Sequence, residues 1–274
     1  MAIAPPSPSS TVVLLREGVP GAPPECLLMQ RNATASWLGG AWVFPGGRVD
    51  DGDREPAWDD LVLGTARLAA AWPEVDAAWL RDHAVAAARE VFEETGLLFA
   101  ETVTPQRADQ PPRHTPAGPS QPERRDLLDG LASFASLCAH RRWKLRLDQF
   151  VPVSRWGAPE QERRRFDTGF FVATAPGQAL RLHEHEMAAH AWLTPGDALA
   201  RIRRGAMEVA PPTLRTLEDL AVHASLDAAL AWARTVPRLV IAPKYHDDGE
   251  RRWLLLPGDP AYPGKGTPSV PAPT

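Results

Sequence analysis

Three glutamates, Glu90, Glu93 and Glu94, stand at i, i+3 and i+4 within the run His83 to Gly96, whose strong helix formers end on a glycine. At about 100° per residue, with Glu90 at zero, Glu93 falls near −60° and Glu94 near +40°. Ala84, Val85, Ala88, Val91, Phe92 and Thr95 then share the opposite side, between roughly 100° and 220°. Carboxylates so spaced repel, at roughly 0.2–0.5 kcal/mol per pair, and a divalent cation removes that cost. Hard oxygen donors suit magnesium or manganese, which keep several waters and complete an octahedron with phosphate oxygens of a substrate. Arg89, four residues before Glu93, is in reach to hold it. On spacing alone, a solvated acidic helix face explains the pattern equally well.

A helix needs elements to hold it in place. Asp82 reads as its N-cap. Upstream, Thr11 to Arg16 and Glu25 to Arg31 are short apolar runs separated by Gly and Pro, the pattern of two strands joined by a turn. A third run, Ala41 to Phe44, stops at Pro45-Gly46-Gly47, where the backbone turns sharply or approaches something closely. Residues 54 to 81 carry helical patterning with Pro73 as a breaker, and predict an inserted helical hairpin. Residues 103 to 123, rich in Pro, Gln, Arg and Ser, predict a mobile loop. Helix resumes over about 124 to 140. Leu145 to Val153, Arg165 to Thr174 and Met187 to Leu193 read as strands, and Pro195 to Arg203 as a helix. Pro211-Pro212 opens a helix reaching roughly Thr235, and Arg238 to Ile241 with Arg252 to Leu256 flank an Asp-Asp-Gly turn as a late hairpin. The expected plan is one domain over 10–261, with a flexible N-terminus at 1–9, the helix and hairpin at about 211–257, and a disordered tail at 262–274.

Composition narrows the functional classes. The chain has 274 residues, 44% apolar and 23% charged, with 30 Lys+Arg against 34 Asp+Glu. That balance suits a soluble globular protein and argues against a generic polyanion binder. Cys26 and Cys138 form no CxxC pair, so neither a disulfide framework nor a cysteine zinc site is expected, and a reducing, cytoplasmic setting fits. The ends MAIAPPSPSS and PAPT carry neither a secretory signal nor a peroxisomal address. No run of 18 apolar residues occurs, so no membrane partner is expected.

The linear pattern is more specific than the wheel. Arg89-Glu90-Val91-Phe92-Glu93-Glu94-Thr95-Gly96-Leu97 matches the second half of the Nudix box, R-E-U-x-E-E-x-G-U with U aliphatic, at every fixed position. Average residue usage gives a chance match on the order of 10⁻⁵. The first half, G-x5-E, is present at Gly47 only if Asp53 replaces the glutamate, and 35 residues separate Asp53 from Arg89 where seven are usual, an insertion of 28. A box split in this way after Phe44-Pro45-Gly46-Gly47 resembles the coenzyme A diphosphatase branch of the Nudix superfamily. Leu28-Met29-Gln30-Arg31, Arg165 to Phe171, Trp192-Leu193-Thr194-Pro195 and Pro211-Pro212-Thr213-Leu214 add to the likeness.

That resemblance implies an α/β fold: an α/β/α sandwich around a mixed sheet, with a helical insertion inside the box and a C-terminal helix plus hairpin. It implies Glu90 and Glu94 as principal ligands of Mg2+ or Mn2+, Glu93 assisting and the Gly47 carbonyl nearby. It makes Glu186 the candidate for activating water, with Glu184 beside it, and Arg89 the orienting residue. Arg31, Arg48, Arg165 and Asp167 are the expected substrate-binding residues. The implied reaction is hydrolysis of a pyrophosphate in coenzyme A or acyl-coenzyme A, with ADP-ribose, NADH or dinucleoside polyphosphates as alternative substrates. A nucleotide-sensing module without catalysis is the alternative of another class, motivated by Asp53 and Ala189 at positions where glutamate is common. The expected partner is a small nucleotide, without nucleic acid, and a homodimer is left open.

Weaker signals stand beside these. His183, His185 and His190 match no familiar zinc spacing. Arg163-Arg164-Arg165 suits a phosphate, such as the ribose 3'-phosphate of coenzyme A, or a solvated charge run. Asp167 within an apolar strand needs a partner, either an arginine or a nucleotide. Among ten tryptophans, Trp37, Trp42 and Trp156 are candidates to stack on adenine, with core packing as the alternative.

Overall fold

The computed structural model describes residues 5–35, 37–106, 113–118, 121–162, 164–247, 249, 252–257, 259, 262 and 266–271. In chain order the elements are β1 (Ser7–Arg16), β2 (Glu25–Arg31), β3 (Trp42–Val43), β4 (Gly46–Arg48), α1 (Trp58–Leu61), β5 (Val62–Leu63), α2 (Thr65–Ala71) and α3 (Ala77–Thr95). Then come β6 (Ala100–Thr104), β7 (Arg113–Pro116), α4 (Gln121–Leu128), α5 (Phe134–Arg141), β8 (Trp143–Arg146), β9 (Val151–Gly157), β10 (Phe166–Thr174) and β11 (Met187–Leu193). The chain continues through α6 (Pro195–Arg203), α7 (Pro211–Leu220), α8 (Leu226–Thr235), β12 (Leu239–Ile241), β13 (Lys244–Asp247), β14 (Arg252–Pro257) and β15 (Gly266–Pro271).

The central sheet runs β11-β2-β1-β10-β9-β12, with β3 added to β2 and β4 to β1. It is mixed, since β1–β10 and β9–β12 pair parallel while β1–β2, β2–β11 and β9–β10 pair antiparallel. Side chains alternate across its faces. Val12, Leu14, Leu27 and Met29 enter one core with α3, while Val13, Leu15, Cys26 and Leu28 enter a second with Leu199, Leu217 and Ala229 of α6, α7 and α8. Two cores on one sheet make the α/β/α sandwich. Both cysteines are buried and unpaired, and among the described residues no helix is long and apolar enough to cross a membrane.

Several boundaries differ from the sequence expectation. The helix α3 starts at Ala77 because Asp76 caps it, its carboxylate accepting from the Trp79 N–H at 2.9 Å, whereas Asp82 lies inside and pairs with Arg81. The insertion is not a simple hairpin: Val62–Leu63 pairs parallel with β8, and Trp58, Val62, Leu68 and Trp72 pack into the same core as α3. Ser7–Ser9 belong to β1, paired with β10, and are not a flexible arm. The expected mobile loop contains β7, paired with β6, and the start of α4; its residues 107–112 and 119–120 lie outside the described residues.

The helix predicted over 124 to 140 is two, α4 and α5, and the one predicted from Pro211 to Thr235 is two, α7 and α8. Trp143–Arg146 and Val151–Gly157 are separate strands with a 3-10 turn between them. At the late turn, β14 pairs with β13 and not with Leu239–Ile241, which joins the central sheet as β12. Gly266–Pro271, expected to be disordered, pairs with β14.

Candidate active site

The carboxylate helix meets the sheet at β4. Gly46 has φ +152°, and a Cβ there would lie 2.2 Å from the Ser10 carbonyl oxygen, so only glycine permits β4 to lie this close to β1. A Cβ on Gly47 would lie 2.3 Å from Glu90 Oε1, so the glycine backbone is pressed against that carboxylate. Next to it, the Gly46 N–H donates to Glu94 Oε2 at 2.9 Å. The glycine turn and the carboxylate face thus form one structure.

Arg89 ties the split box together. It is 8% exposed, and its Nε and Nη2 each donate to the Asp53 carboxylate at 2.9 Å. Nη2 also donates to the Arg48 carbonyl at 2.8 Å, and Nη1 to Glu90 Oε1 and Glu93 Oε2 at 3.0 and 3.1 Å. Asp53, only 1% exposed, accepts besides from the Asp50 N–H at 2.9 Å. The aspartate at a customary glutamate position reaches the arginine, so that departure is accommodated. Burial alone would lower the Arg89 pKa, but its hydrogen bonds to Asp53 and the charges of Glu90, Asp53 and Glu93 outweigh it and hold the guanidinium above its ordinary value.

The three helix carboxylates are strained electrostatically. Burial raises the pKa of Glu90, with Glu93 adding repulsion and Arg89 opposing it. Burial also raises Glu93 against the pull of Arg89. Glu94 is raised well above the usual carboxylate range, by burial and then by Glu90, with the Gly46 N–H opposing. Glu186 adds its charge to the repulsion at Glu93 and Glu94, which places it at the same end of the cleft. Excess negative charge in a desolvated site is what a hard divalent cation offsets. The donors therefore fit such an ion in type and charge. No three His, Cys, Asp or Glu side chains among the described residues close round one point; Arg89 engages Glu90 and Glu93, and the Gly46 N–H engages Glu94.

A cleft of about 890 Å³ opens above this cluster. Gly47, Glu90, Glu93, Glu94 and Glu186 line it, as do Arg31, Arg48, Arg89 and Arg165. The Arg31 Nε is buried with no hydrogen-bond partner, a cationic donor at the wall of an acidic cleft. Asp167 is not in the cleft. On β10, Phe166, Thr168 and Phe170 face it, so the intervening Asp167 faces away and forms a two-pronged pair with Arg155 at 2.6 and 2.5 Å. Its partner is therefore the arginine and not a nucleotide. Glu184 is exposed and outside the lining; Trp42 and Trp156 pack in or against the second core, leaving Trp37 in the cleft wall. Arg163 lies outside the described residues, while Arg164 and Arg165 line the cleft.

Sequence reasoning missed the straps that hold the end of α3 and the segment around Glu186. The last carbonyls of α3 are taken one by one: Glu93 O by Arg124, at 3.0 and 2.6 Å, Glu94 O by the His183 N–H and Thr95 O by the Arg181 N–H, both at 2.8 Å. Asn32, at the end of β2, donates from Nδ2 to His185 O at 2.7 Å and from its N–H to Glu186 O at 3.0 Å. These bonds tie the backbone of the Glu186 segment to the end of β2 and to the end of α3. The visible signal was Gly96, which ends α3 and leaves orphan carbonyls; the identity of their partners was not readable.

The model of the NUDT19 Nudix domain matches residues 66–220, more than half of the chain. The chain belongs to that Nudix family. Among relatives of this Nudix hydrolase, the acyl-coenzyme A diphosphatase NUDT19 of Gallus gallus is 28% identical, over 92% of this chain and 78% of the relative. The Homo sapiens protein of the same name is 27% identical over 86% and 72%. A solved structure of a Nudix hydrolase from Alicyclobacillus acidocaldarius superposes with a TM-score of 0.66 at 26% identity, covering 86% of this chain and 98% of that one. Nudix hydrolases generally use divalent metal ions, in keeping with the carboxylate cluster on α3.

Proposed function

We propose that this Nudix hydrolase is a magnesium- or manganese-dependent diphosphatase acting on coenzyme A or its acyl thioesters. Water adds across the phosphoanhydride, and the products are 3',5'-ADP and the 4'-phosphopantetheine half. The observation that carries the reading is the carboxylate face of α3, pressed on the Gly46-Gly47 turn and facing Glu186 across one cleft. The names of the chicken and human relatives point to the substrate.

In this reading Glu90 and Glu94 are the principal metal ligands, with Glu93 and the Gly47 carbonyl assisting. A divalent cation held there supplies charge neutralisation at the phosphoryl oxygens and acidifies water. Glu186, exposed at the cleft wall and carrying the least desolvated carboxylate of the four, takes the proton from the attacking water. Arg89 keeps Glu90 and Glu93 in place, and Arg31, Arg48 and Arg165 meet the substrate's phosphates. Comparing kcat/KM for coenzyme A, several acyl thioesters, ADP-ribose, NADH and diadenosine polyphosphates tests the substrate. Coenzyme A or a thioester is expected to lead by at least tenfold; a lead for any other compound removes the assignment.

A further inference from the structure

The acidic end of the cleft accounts for the pyrophosphate and leaves the opposite rim unexplained. That rim carries Trp37, Phe166, Arg164 and Arg165. Trp37 is 41% exposed, and its ring centroid lies 5.0 Å from that of Phe166 at a 49° tilt.

The loop holding it is tightly wound. Leu38 sits at φ +50°, unusual for a residue with a side chain, and a Cβ on Gly39 would lie 2.5 Å from the Ala33 carbonyl oxygen. The Ala35 N–H donates to Asn32 O, the Gly40 N–H to Arg31 O and the Ala41 N–H to Leu38 O, at 2.9, 3.2 and 3.1 Å. A leucine in the left-handed region directly after Trp37 is a local backbone cost.

Strand β1 gives the scale. Gly47, in contact with Glu90, pairs with Ser10, and Phe166 pairs with Ser7. Three residues along β1 span about 10 Å, and β4 and β10 flank β1 on opposite sides, so Gly47 and Phe166 lie about 14 Å apart, a span comparable to that of an extended adenosine 5'-diphosphate. A nucleotide whose anhydride lies at Glu90 and Glu94 therefore brings its base to Phe166 and Trp37. Resting on the diphosphatase reading above, we propose that Trp37, buttressed by Phe166, is the platform on which the adenine ring stacks. The same placement brings the ribose 3'-phosphate to the rim carrying Arg164 and Arg165.

The test is calorimetric binding of 3',5'-ADP and of inorganic pyrophosphate, both with magnesium, to the full chain and to Trp37→Ala and Trp37→Phe. Loss of one base stack weakens 3',5'-ADP by about 10- to 100-fold in Trp37→Ala. Pyrophosphate binding stays as in wild type, and Trp37→Phe restores 3',5'-ADP to within a few-fold. Equal loss of both compounds in Trp37→Ala, or no loss of either, overturns the platform while leaving the diphosphatase reading intact. A wild type that binds neither compound overturns both.

Discussion

Replacing Asp53 by asparagine tests whether the split box is one structure. The carboxylate is 1% exposed and takes two of the Arg89 donors at 2.9 Å each. Asparagine removes its charge and turns an amide donor toward a guanidinium that only donates. Removing one partner of a buried pair costs about 3–5 kcal/mol. Arg89 retains Glu90 and Glu93, which argues for the low end, about 3 kcal/mol. At about 2–4 °C per kcal/mol for a chain of this size, Tm falls by roughly 6–12 °C. With Asp53 gone, the arginine pulls harder on Glu90 and Glu93, so the magnesium concentration for half-maximal activity also rises. Calorimetry with excess chelator and a magnesium titration of the rate measure the two effects separately. A variant whose Tm and magnesium requirement both stay at wild-type values would refute the linkage across the insertion.

Three more expectations follow from the geometry. Glu94→Gln is more stable than wild type at pH 8 in chelator and, with magnesium restored, turns over at least 10²-fold more slowly. The carboxyl's raised pKa means that its contribution is present when protonated and lost as pH rises above the ordinary value of 4.5; urea midpoints measured from pH 5 to 8 report it, and a less stable variant sinks the idea. Gly47→Ala displaces Glu90, whose oxygen stands 2.3 Å from the new Cβ, and slows turnover by about 10² for a shift near 1 Å; retention of half the wild-type kcat would contradict it. His83, 2% exposed with Nε2 unpartnered, has a pKa pushed down to about 4 by burial, so it folds neutral and the unfolded chain takes up its proton first. Stability from that neutral ring is full above pH 6.5 and falls by roughly 3 kcal/mol as pH drops to about 4. A His83→Phe variant with the same acid slope as wild type would remove that account.

What was legible in the sequence follows local physics. The carboxylate face, β11 and α6 were predictable because periodicity, a Pro start and apolar runs act within a few residues. The start of α3 was missed because Asp76 and Asp82 are both capping residues, and only the packing of Leu80 in the core selects the earlier one. The strand Val62–Leu63 was read as helix because its partner, β8, lies more than 80 residues away. In the site, the residues brought together by one helix were readable, while Asp167 was misplaced by a single step of strand alternation. The hold of Asp53 on Arg89, of Arg124 on the Glu93 carbonyl and of Asn32 on the segment around Glu186 joins distant segments and has no local signature.

The most direct test is product analysis after incubating wild type, Glu94→Gln and Glu186→Gln with acetyl-coenzyme A and magnesium in ¹⁸O water. The account predicts 3',5'-ADP and the acetylated 4'-phosphopantetheine, one of them carrying a single ¹⁸O, from wild type, with each variant slowed by at least 10²-fold. Release of free coenzyme A by thioester cleavage, or unchanged turnover in Glu94→Gln, would contradict it.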